Sequence, residues 1–239
     1  RLPRIAMAVL GGAALGLAGT VMQGVTRNPL VSPYTLGISA AAAFGASLAI
    51  IFGLGTLPNG HWLIVICAFV CALICAFVVF GVGLRVGTSP ETVILTGIAL
   101  MYLFMAGTAT IQFLASEEQL ASVVHWTFGS LTRAGWPAVV AMAVISILVW
   151  PLLFAHAWPL NAIASGGDDY ARSLGVAVER IRFILCIAAV LLTATVISFT
   201  GVIGFVGLVA PHMARLVIGT DHRLLLPFSA MVGALLLLA

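Results

Sequence analysis

The side chains that carry out chemistry are few in this 239-residue chain: four cysteines, five histidines, seven carboxylates and ten basic residues. Every basic residue is arginine. A phosphate-binding loop of the G-x-x-x-x-G-K-[ST] type needs its lysine to reach the phosphates. The chain therefore does not hydrolyse ATP in that way, and any ATP-driven step falls to a partner. Cys67, Cys71 and Cys75 recur every four residues along one helix face. That spacing could hold a metal or cluster, or it could be small apolar packing between helices. The apolar neighbours, with no histidine or carboxylate beside them, favour packing, so no metal site is expected. H-E-x-x-H and G-x-S-x-G are both absent, and no Ser/His/Asp set stands at catalytic spacing. No catalytic residue and no bound cofactor are expected, which argues against an intramembrane protease.

These residues sit in an unusually apolar frame. Hydrophobic residues make up 62% and charged residues 7% of the chain, and the mean hydropathy is +1.23. A soluble domain so poor in charge could not solvate its surface. The sequence reads as an all-α, polytopic membrane protein. The net charge of +3 is too small to suggest nucleic acid. Eight spans are expected, over 5–26, 35–57, 61–84, 91–115, 136–158, 181–199, 202–219 and 224–239. A helix over 183–219 would run ~55 Å against a core of ~30 Å, so it must break, and Gly201 and Gly204 mark the place. Ser89-Pro90-Glu91 has the order of an N-cap, a first-turn proline and an acid. The chain lacks an initiator Met and stops inside an apolar run, which leads to the expectation that it is a piece of a longer protein. Ala8, Gly12, Gly16, Thr20 and Gly24 form a stripe of small residues along one side of the first span. Such a stripe lets backbones approach closely, either across a homodimer or within one subunit, and the second reading is favoured.

Alternating connections place Arg27, Arg85, Arg172, Arg180, Arg182, Arg215 and Arg223 on one side and Arg1, Arg4 and Arg133 on the other. The richer side is cytoplasmic by the positive-inside rule. Arg1 and Arg4 then face outward, against the local trend, where an anionic partner or lipid head groups could hold them. The one substantial cytoplasmic segment is 161–182, with the coupling part at 161–180. In it, Asp168-Asp169-Tyr170-Ala171-Arg172-Ser173-Leu174 followed by Gly175 reads as a short helix. Acids suit its N-terminal end and glycine its left-handed stop, while Gly166 and Gly167 loosen the approach. It is either a docking knob for a cytoplasmic partner or an interfacial connector.

"RLPR", "GAALGLAGTVMQGVTRNPLVSPYTLGISAAAAFGA", "WTFGSLTRAGW", "ARSLGV" and "ISFTGVIGFVGLVAPHMARLVIGTDHRLLLP" together resemble iron-chelate and vitamin B12 uptake permeases of the FecCD/BtuC type. The motifs run in order through the chain. The resemblance implies a type II ABC importer permease fold of ten helices built as inverted repeats, of which this chain carries the second to the ninth in a single domain, 1–239. It implies a second permease copy, most simply a homodimer, and a cytoplasmic ATPase dimer that binds ATP and Mg. It also implies a periplasmic or surface substrate-binding protein, in a bacterial or archaeal inner membrane. Gly166, Gly167, Asp168, Asp169, Ala171, Arg172, Ser173, Leu174, Gly175 and Val176 would couple to the ATPase. Arg1 and Arg4 would pair with carboxylates of the binding protein. A faint inverted-repeat trace relates "GTVMQGVTRNPLVSP" to "ATVISFTGVIGFVGLVAP", ending at Pro33 and Pro211.

Two further readings accompany this one. An ion-coupled secondary transporter is the alternative, but it would place an ionisable group near mid-membrane, whereas every Asp and Glu falls in or beside an expected loop. His156 and His212 would be its first candidates. Gln23, polar within a span, and Asn28, ahead of Pro29, could face the translocation path; an internal hydrogen bond for Gln23 and a helix stop at Asn28-Pro29 are the competing roles. Family frequency favours a ferric siderophore as cargo, with haem, cobalamin and molybdate behind, and no residue in the sequence separates them.

Overall fold

The computed structural model describes residues 1–86 and 89–239, without the side chains of Leu84 and Val86; the expected connection 85–90 thus lies partly outside the described residues. Among them are ten helices: α1 (Leu2–Thr26), α2 (Ile38–Ile51), α3 (Gly60–Val86), α4 (Pro90–Phe113), α5 (Glu117–Thr127), α6 (Trp136–Ala155), α7 (Ala157–Ser173), α8 (Val178–Thr200), α9 (Val206–Ile218) and α10 (His222–Leu238). Five, α1, α3, α4, α6 and α8, are long and apolar enough to cross a membrane, while α2, α9 and α10 are shorter apolar helices.

Helix α1 is the hub. It packs on α6, α7, α8, α9 and α10, with glycines at the closest approaches: Gly11 toward α8, Gly19 toward α9, and Gly12 and Gly16 of the small-residue stripe toward α10. A Cβ at Gly12 would stand 2.2 Å from the Gly233 carbonyl oxygen, and one at Gly16 equally close to that of Ser229. The stripe is therefore spent on α10 of the same subunit. On α3, Cys67 presents its backbone carbonyl to Gly45 of α2, and the buried Cys75 thiol donates to the Leu36 carbonyl at 3.4 Å. Cys71 Cβ lies against the same glycine, so this face of α3 packs on α2 and the turn before it.

Two expected spans, 35–57 and 202–219, are only partly helical. After Arg27 ends α1, the chain turns back into the bundle through an irregular stretch and a single 3-10 turn at Pro33–Leu36, capped by left-handed Gly37, φ 78°. Beyond α8 it re-enters likewise between Gly201 and Phe205. These two stretches meet halfway along the bundle. The Tyr34 hydroxyl donates to the Ile203 carbonyl, Leu36 lies against Gly97 in the body of α4, and Gly207 faces both Pro33 and Leu15 of α1. Non-helical backbone at such depth persists only where protein covers it and supplies partners. Here Tyr34 and Cys75 do so, while Gln23 reaches the first turn of α9, its Nε2–H donating to the Leu208 carbonyl at 3.3 Å. The long-short helix pairs α1–α2 and α8–α9 have the same plan, matching the repeat trace in the sequence.

Two elements fall outside the expected spans. Helix α5 starts in a capping box, Ser116 accepting from the Gln119 N–H while Gln119 Oε1 accepts from the Ser116 N–H, with Glu117 and Glu118 in the first turn. Helix α6 ends at Ala155, short of the expected 158, and α7 restarts at Ala157; it breaks at Gly167, so the expected short helix at 168–174 follows as a separate turn beyond the kink.

Candidate functional site

The tail of α7 is a separate unit by its backbone. Gly167 breaks the helix at φ 79°, ψ −176°, a conformation glycine alone adopts readily. Arg27 occupies the space where a side chain would go, its Nη1 only 2.6 Å from a Cβ at Gly167. The next turn begins with Asp168 and Asp169, whose charges suit the helix N-terminus. It stops in a Schellman motif: the Gly175 N–H reaches the Arg172 carbonyl at 2.9 Å and the Val176 N–H that of Ala171 at 3.0 Å. Gly175 is left-handed, φ 80°, as its place in the sequence predicts. Ala171 and Val176 are buried with Ala162, Ile163 and Val178.

Three ion pairs hold the turn. Asp168 meets the buried Arg182 of α8 at 2.7 Å. Arg172 bridges Asp169 at 3.0 Å and Glu179 at 2.6 Å, and the hydrogen bond to Glu179 raises the Arg172 pKa further above its ordinary value. What remains outward is Asp169, Tyr170, Ser173 and Leu174, the tyrosine 50% and the leucine 44% exposed. Two apolar side chains and a carboxylate therefore stand outward on a turn whose other side is held by ion pairs. The roles of Arg27 and Arg182 in holding it were not legible beforehand, because both lie in other elements.

The connections segregate by end. At the arginine-rich end an open cavity of about 490 Å³ is lined by Gln23, Arg27, Asn28, Asn161, Arg215 and His222 among others. Gln23 is locked there, its Oε1 accepting from Arg215 at 3.0 Å. Asn28 makes a tight turn, its Oδ1 accepting from the Leu30 N–H at 2.9 Å. Asn161 joins α7 to α10: its Nδ2 donates to Asp221 at 2.6 Å, and its Oδ1 accepts from the His222 N–H at 2.8 Å. The Arg223 N–H, and after it the Asn161 Nδ2–H, lower the Asp221 pKa below the usual carboxylate range.

The opposite end holds the N-terminus of α1, with Arg1 and Arg4 both exposed. A second open cavity there, about 740 Å³, is lined by His61, Glu118, Gln119, His125, Trp126 and Arg133 among others. Arg133 binds the backbone carbonyls of Trp126, at 3.0 Å, and His125, and partial burial lowers its pKa. His61 and His125 therefore stand at one end and His222 at the other.

Residues 1–239, the whole chain, match the profile of the FecCD transport family. The chain belongs to that family. A Methanocaldococcus jannaschii protein assigned as an ABC transporter permease is 46% identical over 246 residues, covering 100% of this chain and 70% of the relative. The cobalamin import system permease protein BtuC of Halobacterium salinarum is 39% identical over 244 residues, 100% of this chain and 63% of its own length. A solved transporter assigned to the metal-chelate ABC type, in an inward-facing conformation, superposes with a TM-score of 0.90 at 33% identity, covering 100% of this chain and 76% of that one. The FecCD chain thus spans about two thirds of the curated relatives' length.

Proposed function

We propose that this chain is the membrane-embedded core of the permease subunit of an ABC importer for a ferric siderophore or related metal chelate. The observation that carries the proposal is the capped turn at 168–176, rigid on its inner side and apolar on its outer side. A cytoplasmic ATPase dimer, which binds ATP and Mg, seats Tyr170 and Leu174. Nucleotide-driven motion reaches α8 through Asp168 and Arg182 and α1 through Gly167 and Arg27. Only contacts that differ between two ATPase states can shift the permease, and this turn is placed to feel them. Residues 1–239 act as one transmembrane domain, with 161–180 as its coupling segment, in the eight-span portion of a ten-helix, type II fold.

Arg1 and Arg4 dock a periplasmic or surface binding protein through its carboxylates, and a guanidinium suits that pairing. A second permease copy, as a homodimer, covers part of α4, whose Leu95, Tyr102 and Leu103 are each at least 63% exposed. The remaining apolar surface faces lipid in a bacterial or archaeal inner membrane. Gln23 and Asn28 lie beside the path at its cytoplasmic end. Metal chelates are favoured as cargo by the metal-chelate and cobalamin relatives. The test is Leu174→Glu in the reconstituted importer. ATPase stimulation by loaded binding protein is expected to fall at least tenfold while the permease still folds and inserts. Unchanged coupled transport would remove this turn from the mechanism.

A further inference from the structure

Two guanidinium groups with no ion-pair partner among the described residues line the cavity at the arginine-rich end. Arg27 makes no side-chain hydrogen bond or ion pair among the described residues, and Arg215 is held only by the neutral Gln23. Glu91 lies within electrostatic reach of Arg27 but forms no ion pair with it. One carboxylate, Asp221, shares the lining, and it is already engaged by Asn161 at 2.6 Å and the Arg223 N–H at 3.0 Å. His222 turns its Nδ1 to Asn161 Oδ1 at 2.7 Å. Because that oxygen also accepts the His222 backbone N–H, the ring nitrogen donates and the imidazole needs no charge. His222 Nε2 has no partner either, but with Nδ1 carrying the proton it offers only a lone pair, so the positions open to an anion belong to the two arginines, with Asn28 and Ser165 beside them.

A guanidinium fork fits the oxygens of a phosphate better than any neutral ligand. The surroundings decide what carries the phosphate. Leu30 and Leu216 adjoin lining residues in sequence, Val217 and Leu224 lie two positions from them, and the four are 73%, 77%, 70% and 58% exposed. A soluble anion has no use for such neighbours, whereas acyl chains do. Basic pockets between transmembrane helices on the cytoplasmic side commonly seat acidic lipid head groups. We propose that this cavity binds the phosphate of an anionic phospholipid from the adjoining leaflet, held between Arg27 and Arg215. The lipid then bears on the side chain that fills the Gly167 kink, so occupancy steadies the start of the capped turn.

The experiment uses the purified full-length permease in detergent, titrated with phosphatidylglycerol, phosphatidylcholine or inorganic phosphate, read by thermal unfolding and by native mass spectrometry. Phosphatidylglycerol is expected to raise the unfolding temperature and remain bound through delipidation, and phosphatidylcholine is not. Arg27→Gln should weaken phosphatidylglycerol about fivefold. Arg27→Lys should retain most of the affinity, and Arg85→Gln, an exposed arginine outside the cavity, should retain all of it. Ser165→Glu, which adds a carboxylate without removing an arginine, should weaken binding as Arg27→Gln does and covers the case in which Arg27→Gln folds poorly. Equal binding of both lipids, or undiminished phosphatidylglycerol binding in Arg27→Gln and Ser165→Glu, overturns the proposal. An equal effect from millimolar inorganic phosphate overturns the lipid source and leaves a soluble phosphate. Loss of ATPase co-purification with lipid binding intact would assign the arginines to an acidic partner surface and also overturn it.

Discussion

Replacing Asp168 by Asn removes one charge and almost no volume, and Asn still favours a helix start. Its partner Arg182 is 3% exposed and Asp168 itself 21%, at 2.7 Å. Breaking a fully buried pair costs ~3–5 kcal/mol; partial exposure of Asp168 lowers the expectation to about 2–3 kcal/mol. The loss is local, because the pair ties only the capped turn to α8. It should appear as easier opening of the turn, read by hydrogen exchange at the Gly175 and Val176 amides, which close the Schellman motif on Arg172 and Ala171. Exchange there should speed by roughly 30- to 150-fold, with amides in the middle of α8 unchanged as the internal reference. ATPase stimulation by the binding protein should fall with it. A change of less than about twofold at both amides would refute the reasoning, since the turn would then be held without the pair.

Three other outcomes follow from the packing and the ends. Gly16→Ala places a Cβ 2.2 Å from the Ser229 carbonyl oxygen, whereas one at Gly11 meets side chains at ordinary contact distance, Val196 at 3.6 Å and Met7 at 3.8 Å. The first should lower the unfolding temperature by about 3–10 °C and the second leave it nearly unchanged; equal effects would mean that α1 and α10 do not pack as described. Asp221 has a lowered pKa, so its stabilising bonds are complete above the ordinary carboxylate range and are lost as pH falls through the lowered value. Asp221→Asn should flatten the acid side of the stability–pH profile measured by thermal unfolding, and an unaltered profile would contradict the capping role. Arg1→Glu with Arg4→Glu should weaken binding-protein affinity and flatten its salt dependence, and an unchanged salt slope would return both residues to lipid anchoring.

Much of this was readable from residue types. The glycine stripe of α1, the acids at 168–169 and the left-handed stop at Gly175 each follow from backbone sterics, which act locally. The break after α8 falls where Gly201 and Gly204 mark it, whereas the irregular entry to α2 was harder to locate, because Val31, Pro33 and Leu36 are apolar and buried, so hydropathy runs straight through them. The Leu36 carbonyl is met by Cys75 and the Ile203 carbonyl by Tyr34, each from a distant position, and no sequence window shows such pairings. Helix α5 did leave a signal, Ser116-Glu117-Glu118-Gln119, which is the pattern of a capping box, but it is short and amphipathic among longer apolar runs. Arg182 reads as one more cytoplasmic charge until folding sets it against Asp168.

The central claim is that the capped turn is where a separate ATPase holds this permease. The most direct measurement is co-purification: the full-length permease expressed with its ATPase, extracted in mild detergent, and compared with a version whose residues 168–175 are a Gly/Ser linker. The account predicts one ATPase per native permease and none with the linker, in a protein that still inserts and unfolds cooperatively. An ATPase that stays bound to the linker version would contradict the docking role, and one that never binds the native chain would contradict the importer itself.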